Sequence, residues 1–490
     1  MKKYSLLILL IVGMTSCKKW LDLQPETEVS KDELFKTEEG FQEALNGVYS
    51  RCVEEDLYGY ELTFGLPEVL AQNYSISQGR DAQNYLQVAN FNYSHERFIG
   101  RKDNAWKGLY NAIVNANLIL TEIDSRKDVF SGENYNLIKG EALALRAFLH
   151  FDAFRLFGSF HSSGQVGIPY VTTYSNQVTP ISSAESVLDK VIADLKAAKD
   201  LLQVSDSILS PTYHVDYPGE DSSTEQSSRI LFHQNRRHRL NYYAVCGELA
   251  RAYLYKNDKV NALANAEEVI LSNKFPWTKD EDFLNADIKK KDRILYKELV
   301  FGWPIKGRTD KIRGLYSNGT ASFQLKVDAA KFIYEAGTVG AEDNRYKQWF
   351  LQYDQEYNDI VKYRRNPDAR EDDANSDRHP LMAPAIRLSE MYYIAAEASF
   401  ETNPTKALGY FNEVRNHRGI GDNLNTASYA TFMDELVKEA RKEFYAEGQI
   451  FYMYKRLYRP IVGQAGNLIA PSPSIFVLPL PNNEIEFGGR

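Results

Sequence analysis

Apolar positions recur at intervals of three and four along most of the chain, the spacing that places them on one side of an α-helix. In "SKDELFKTEEGFQEALNGVYSRCV", Ser30 and Glu33 have the spacing of a capping box, and Phe41, Ala44, Leu45, Val48 and Tyr49 follow at helical intervals. Residues 104–123 and 137–158 are predicted as long amphipathic helices, with Gly158 at the C-cap of the second. Residues 183–202 form another, with Leu188, Val191, Ile192, Leu195 and Leu202 on one face.

Two segments repeat one pattern. "LARAYLYKNDKVNALANAEEVI" (249–270) and "IAAEASFETNPTKALGYFNEVR" (394–415) align without a gap. Ala250 matches Ala395, Ala262 and Leu263 match Ala407 and Leu408, and Glu268 and Val269 match Glu413 and Val414. Each is a helix, a polar turn and a second helix, as in tetratricopeptide-like pairs stacked on one another.

Between the helices lie long irregular stretches at 203–240, 273–330 and 364–385. Loops of this length are usually functional or disordered. The 273–330 stretch carries Trp277, Phe301, Trp303 and Tyr316, an aromatic content that predicts order and a face toward a ligand. The charged 364–385 loop is expected to be mobile, and "HQNRRHR" (233–239) to be a solvated loop.

The front of the chain has a different pattern. Lys2 and Lys3 precede an apolar run from Tyr4 to Val12, and small residues then lead to Cys17. This order of positive, apolar and small residues is that of a secretory signal peptide over 1–16, too short to span a bilayer of about 20 residues. Cysteine after small residues resembles a bacterial lipoprotein signal, with Cys17 as the acylated N-terminus. Met14 stands where leucine is usual. The alternative is an ordinary signal peptide with a chance cysteine.

Composition narrows the function classes. Apolar and charged fractions of 43% and 25% are those of a globular protein, and a net charge of −8 argues against a nucleic-acid partner. Tyrosine is abundant, 32 residues beside 25 Phe and 5 Trp, which supplies core and also suits surfaces that stack on rings. Beyond Cys17, only Cys52 and Cys246 remain, expected as isolated buried thiols although export would permit a disulfide.

Catalytic and metal motifs are weak. No H-E-x-x-H, G-x-S-x-G or phosphate loop occurs. Asp373, Asn375 and Asp377 open like a calcium loop, but Arg378 holds the glycine position and Pro384 the twelfth. His150, in an apolar helix, is expected to be a satisfied core residue. Paired carboxylates of a hydrolase pair in space and leave no sequence spacing.

Four blocks resemble the SusD/RagB family of nutrient-binding outer-membrane lipoproteins: "CKKWLDLQPETEVS" (17–30), "ALRAFLHFDAFRLFGSF" (144–160), "IRLSEMYYIAAEASFETNPTKALGYFNEVRNHRGI" (386–420), and "EARKEFYAEGQIFYMYKRL" (439–457) with "VLPLPNNEI" (477–485). After Glu447 and Gly448 the family's usual His-Arg-Trp-Phe-Asp-Leu-Arg-Arg is replaced by residues 449–456, with Met453 at the acidic position, and Gly488 stands where an asparagine is common. The resemblance implies an all-α fold, with tetratricopeptide-like helix pairs forming an α/α superhelical scaffold and a loop-rich irregular region packed on it. It implies one domain over 17–490, with parts at 17–240 and 241–490. It also implies a lipid-anchored protein at the cell surface of the outer membrane, which delivers glycans or other oligomeric nutrients to a SusC-like TonB-dependent transporter. No catalytic residue, metal or cofactor is implied. A lipid-anchored glycan hydrolase and a tetratricopeptide scaffold for envelope assembly are the competing classes.

Within these blocks Arg387, Glu390, Glu397, Glu443 and Glu447 are expected to be fold determinants, and Gly448 a position that needs a bare backbone. Ligand contacts are expected from loops in the family. The candidates are Tyr74, Tyr85 and Tyr93 with Asn73, Arg80 and Asn84, and Trp277 with Trp303: aromatics for sugar faces and polar groups for hydroxyls.

Overall fold

A computed structural model describes residues 30–76, 82–161, 164–316, 322–366 and 377–488. The principal helices are α1 (Glu38–Cys52), α2 (Glu96–Glu122), α3 (Asn134–Phe157), α4 (Ala184–Ser205), α5 (Tyr242–Tyr255), α6 (Lys259–Leu271), α7 (Val327–Tyr334), α8 (Leu388–Ser399), α9 (Pro404–Asn416), α10 (Tyr429–Glu443) and α11 (Ile450–Leu457). The fold is all-α in its scaffold, as expected.

Local chemistry sets the ends. Ser30 does cap a helix, accepting from the Glu33 N–H, but that helix stops at Leu34 and Thr37 starts α1 afresh by accepting from Gly40. Ser183 caps α4. The repeated segments are both helical hairpins, α5–α6 and α8–α9, and α6 packs on α8 between them. Their second helices are capped by Asp258 and Asn403, which occupy equivalent places in the gapless alignment. The turn therefore carries the same cap in both copies.

Helix α3 departs from the amphipathic expectation. Every residue from Gly140 to Phe157 is buried. Gly140 lets α4 approach closely, since a Cβ there would lie 2.9 Å from Leu202 Cγ. A helix enclosed on all sides must satisfy each polar group internally. Arg146 pairs with Asp194 at 2.7 Å. Asp152 accepts from Tyr58 at 2.6 Å and from Arg155 Nε at 2.9 Å. His150 Nε2 accepts from the Val171 N–H at 2.9 Å, which leaves Nδ1 to donate to the Arg146 carbonyl at 2.8 Å. Burial pushes its imidazole down to about 3, so it stays neutral.

The loop-rich region contains short sheets not anticipated from the sequence. Strands β1 (Ser75–Ile76), β2 (Leu299–Pro304), β3 (Phe323–Lys326), β4 (Phe350–Gln352), β5 (Tyr357–Ile360), β6 (Met382–Arg387), β7 (Ile461–Val462) and β8 (Leu468–Ile469) make three sheets, ordered β1-β3-β5-β4, β2-β6 and β7-β8. All pairs are antiparallel.

The "HQNRRHR" segment is not solvated. Arg236 and Arg237 are buried. Arg236 pairs with Glu141 at 2.7 Å and Asp206 at 2.8 Å, and Arg237 with Glu225 at 2.5 Å. The carboxylates come from α3 and from the 203–240 stretch, which is thereby tied to the scaffold. Cys52 and Cys246 are free and buried. No helix among the described residues is long and apolar enough to cross a membrane.

Candidate ligand-binding groove

The family-like blocks meet in a buried ionic network. Arg418 pairs with Glu298 at 2.5 Å and Glu443 at 2.7 Å, and Arg345 pairs with Asp343, Glu439 and Glu443 at 2.8, 2.8 and 3.0 Å. Arg387 pairs with Glu447, which also accepts from Lys362. Glu390 pairs with Arg251 and Glu397 with Arg456. These side chains join strands, loops and helices, and all but the partly exposed Glu390 and Arg456 are buried, which makes the network a determinant of the fold.

Glu68 ties down the turn after α10. Its oxygens accept from the backbone N–H of Ala446, Glu447 and Gly448 at 3.0, 3.2 and 2.7 Å. Gly448 has φ +72°, and a Cβ on it would sit 2.3 Å from the Leu62 carbonyl oxygen. Gly448→Val should therefore cost about 2 kcal/mol or more, from the left-handed backbone and the clash together. The expected result is a melting temperature lower by about 2 °C or more, with ligand affinity retained in the folded fraction. An unchanged melt would remove the structural role.

Four of the eight predicted ligand contacts are core. Tyr85 is fully buried, its hydroxyl donating to Glu61 at 2.9 Å and its ring beneath the Arg101 guanidinium at 3.8 Å. Tyr74 stacks on Phe323 at 4.4 Å and shares a hydrogen bond with Tyr316 at 2.9 Å. Trp303 stacks on Tyr58 at 4.7 Å and 7°. Asn73 is buried, donating to Glu68 at 2.7 Å and accepting from Arg441 at 3.0 Å. These four cannot touch a ligand because protein atoms enclose them; the hydroxyls of Tyr74 and Tyr85 and the amide of Asn73 are also bonded within the protein, while the Trp303 indole N–H is buried without a partner. Phe301 and Tyr316 are buried as well.

Tyr93 and Trp277 are half-buried. Tyr93 stacks on Phe98 at 4.5 Å and donates to the Ile475 carbonyl at 2.5 Å. Trp277 stacks on His417 at 4.4 Å, with Arg418 5.3 Å from its ring. Asn84 falls on the helix Ala82–Ala89, and Arg80 and Cys17 lie outside the described residues. Asp373 and Asn375 of the calcium-like stretch also lie outside them, and Asp377 is paired with Arg365 at 3.1 Å. Among the described residues no group of three His, Cys, Asp or Glu is placed to hold a metal ion.

The structure opens elsewhere. A cavity of about 800 Å³ lies between α7, α10 and the β7–β8 hairpin. Ligand sites commonly span about 300–1,000 Å³. Ile333, Val437, Tyr454 and Arg441 are its buried lining, and Phe332, Leu468, Asp434 and Lys438 its exposed one. Phe332 is 49% exposed and Leu468 67%, which offers apolar surface to a bound molecule. Charged groups surround them: Asp434 with Arg459, and Lys438 with Glu435 at 2.7 Å. An apolar face bordered by polar groups matches the amphipathic surface of a sugar ring. None of the eight predicted contacts lines this groove, although Asn73 buttresses its wall through Arg441. The signal was present in α10, where Thr431, Asp434, Glu435 and Lys438 fall on one helical face.

Two family descriptions cover most of the chain. Residues 19–215 match a SusD-like family described as starch-binding and associating with the outer membrane, and residues 248–467 match the SusD family. The chain belongs to the SusD/RagB family. Its relatives include SusD-like protein P38 of Formosa agariphila, 24% identical over 91% of this chain and 90% of that one. SusD-like protein P25 of the same organism is 26% identical over 39% of this chain and 36% of that protein. Among solved structures, a SusD superfamily protein from Bacteroides thetaiotaomicron is 21% identical with TM-score 0.68, over 92% of this chain and 98% of that one. A SusD-like carbohydrate binding protein from Bacteroides vulgatus is 18% identical with TM-score 0.71, over 93% and 97%.

Proposed function

We propose that this protein is a surface lipoprotein of the outer membrane that captures oligosaccharides in the α7–α10 groove and passes them to a SusC-like TonB-dependent transporter, without catalysis. Membership of the SusD/RagB family across both halves of the chain carries the proposal. The groove supplies the place: apolar Phe332 and Leu468 for the C–H faces of sugars, and charged and hydroxyl groups for their rims. Cys17 would be the lipid site and the residues after it the leash.

Calorimetry against a panel of oligosaccharides tests the capture. At least one should bind, with no new reducing ends released on long incubation, and Phe332→Ala should weaken that binding about tenfold through lost stacking area. Release of reducing ends would favour the hydrolase class. Co-purification of a large β-barrel partner separates a transporter cap from an assembly scaffold. Cys17→Ala should move the protein from the membrane fraction to the soluble one with its melting temperature unchanged; retention in the membrane would end the lipoprotein assignment.

A further inference from the structure

We infer that Arg441 makes the groove selective for oligosaccharides that carry an anionic group, a uronate carboxylate or a sulfate ester. The inference rests on the capture of glycans in this groove and adds the class of glycan. It comes from a comparison of the charges that line the cavity. Arg459 is paired with Asp434, and Lys438 with Glu435 at 2.7 Å. Lys331 is paired with Asp328 at 3.3 Å, and Glu335 with Lys442 at 2.7 Å.

Arg441 differs from all of these. It is 4% exposed, yet it lines the cavity. Its Nε donates to Asn73 Oδ1 at 3.0 Å and its Nη2 to the Gln72 carbonyl at 3.1 Å. Both acceptors are neutral, and among the described residues no carboxylate forms an ion pair with it. The nearest acid through this chain of bonds is Glu68. Its oxygens are taken by Asn73 and by the backbone N–H groups of residues 446–448.

A guanidinium removed from water is costly unless an anion accompanies it. Asn73 and Gln72 occupy the Nε–Nη2 edge and fix the plane of this one, which leaves the Nη1–Nη2 end as a preorganised fork. A planar fork matches a carboxylate or a sulfate through two parallel hydrogen bonds. Phe332 and Leu468 at the same cavity then receive the apolar face of the ring that bears the charge.

The test is calorimetry on the full mature chain with trigalacturonate, its methyl ester and a sulfated disaccharide. The acid is expected to bind about tenfold more tightly than the ester, and the preference should shrink as salt is added. A comparable affinity for the sulfated sugar would show that either anion serves; strong sulfate binding with no preference for the acid over its ester would narrow the class to sulfate esters. Arg441→Gln should bring the acid-to-ester affinity ratio to about one, whatever it does to the two affinities separately. Arg441→Lys should restore only part, because an ammonium lacks the fork. The comparison of acid and ester in the unaltered protein stands even where a variant folds poorly. Equal binding of acid, ester and sulfated sugar would overturn the charge selectivity and leave glycan capture intact. Binding of no glycan of any kind by a folded protein would overturn the proposed function itself.

Discussion

Glu443→Ala should be close to unfolding this protein at 37 °C. The carboxylate sits fully buried between Arg418 at 2.7 and 2.9 Å and Arg345 at 3.0 Å. Its removal leaves two guanidinium groups in the interior with one carboxylate fewer. Breaking a buried pair from one side costs about 3–5 kcal/mol, a large part of a typical total of about 5–15 kcal/mol. The expected measurement is a fall in melting temperature of about 3–5 °C, since the unfolding entropy of a chain this long is on the order of 1 kcal/mol/K. A loss of only a degree or two would show that the network is not needed for stability.

The same network sets the response to acid. Burial opposes ionisation of Glu439, yet Lys442 and Arg345 beside it hold its carboxyl down at about 2. Burial also opposes ionisation of Glu443, which Arg418 and Arg345 hold well below the usual carboxylate range. Both pKa values are lower in the folded state than in the unfolded chain. Between them the unfolded chain binds more protons, so stability falls as pH drops. The contribution is intact above about pH 5 and is lost progressively below it. For Glu439 alone the loss is on the order of 3 kcal/mol by pH 2. Melting curves from pH 6 to 3 should show the decline, and it should be shallower in Glu439→Gln.

Trp303→Ala is the second large effect. A surface position for Trp303 would have left the melting temperature unchanged on truncation. The structure reverses that expectation. Trp303 is 1% exposed, with Phe301 at 4.6 Å, Tyr58 at 4.7 Å and Phe148 at 5.7 Å between ring centres. Truncation opens a cavity among three rings and should cost about 3–5 kcal/mol. Thermal unfolding checks it. A stable Trp303→Ala protein with weakened sugar binding would return the residue to a ligand surface.

The helical scaffold was legible because periodicity and caps are local. The two hairpins could be aligned by eye, and the equivalent turn residues Asp258 and Asn403 turn out to make equivalent caps. Gly448 was legible because a bare backbone has a local cause. The ligand surface was not legible from aromatic content. A tyrosine in a polar stretch looks the same whether its hydroxyl meets water or, as in Tyr74, the hydroxyl of Tyr316 at 2.9 Å. The burial of Arg236 was hidden for a related reason. Its partners Asp206 and Glu141 lie 30 and 95 positions away, so the sequence around it reads as a charged loop. The groove combines α7, α10 and the β7–β8 hairpin, and only its α10 stripe is visible in one segment.

The bonds from Glu68 to the backbone of residues 446–448 span up to 380 positions. At a synthesis rate of ~5–20 residues per second, roughly 20–80 s separate the appearance of Glu68 from that of its partners. Tyr445 and Arg441 reach back to the same early segment, bonding Asn73 at 2.8 and 3.0 Å. During that interval Glu68 has its near neighbour Asn73 as a donor but none of the three backbone N–H groups that hold it in the finished molecule. Glu68 meets these donors only once about nine-tenths of the chain has been made. A chain that stops short of residue 446 lacks the three backbone donors that Glu68 uses in the finished molecule, and one that stops short of residue 441 also lacks the Arg441 and Tyr445 bonds that cover the segment around residue 73.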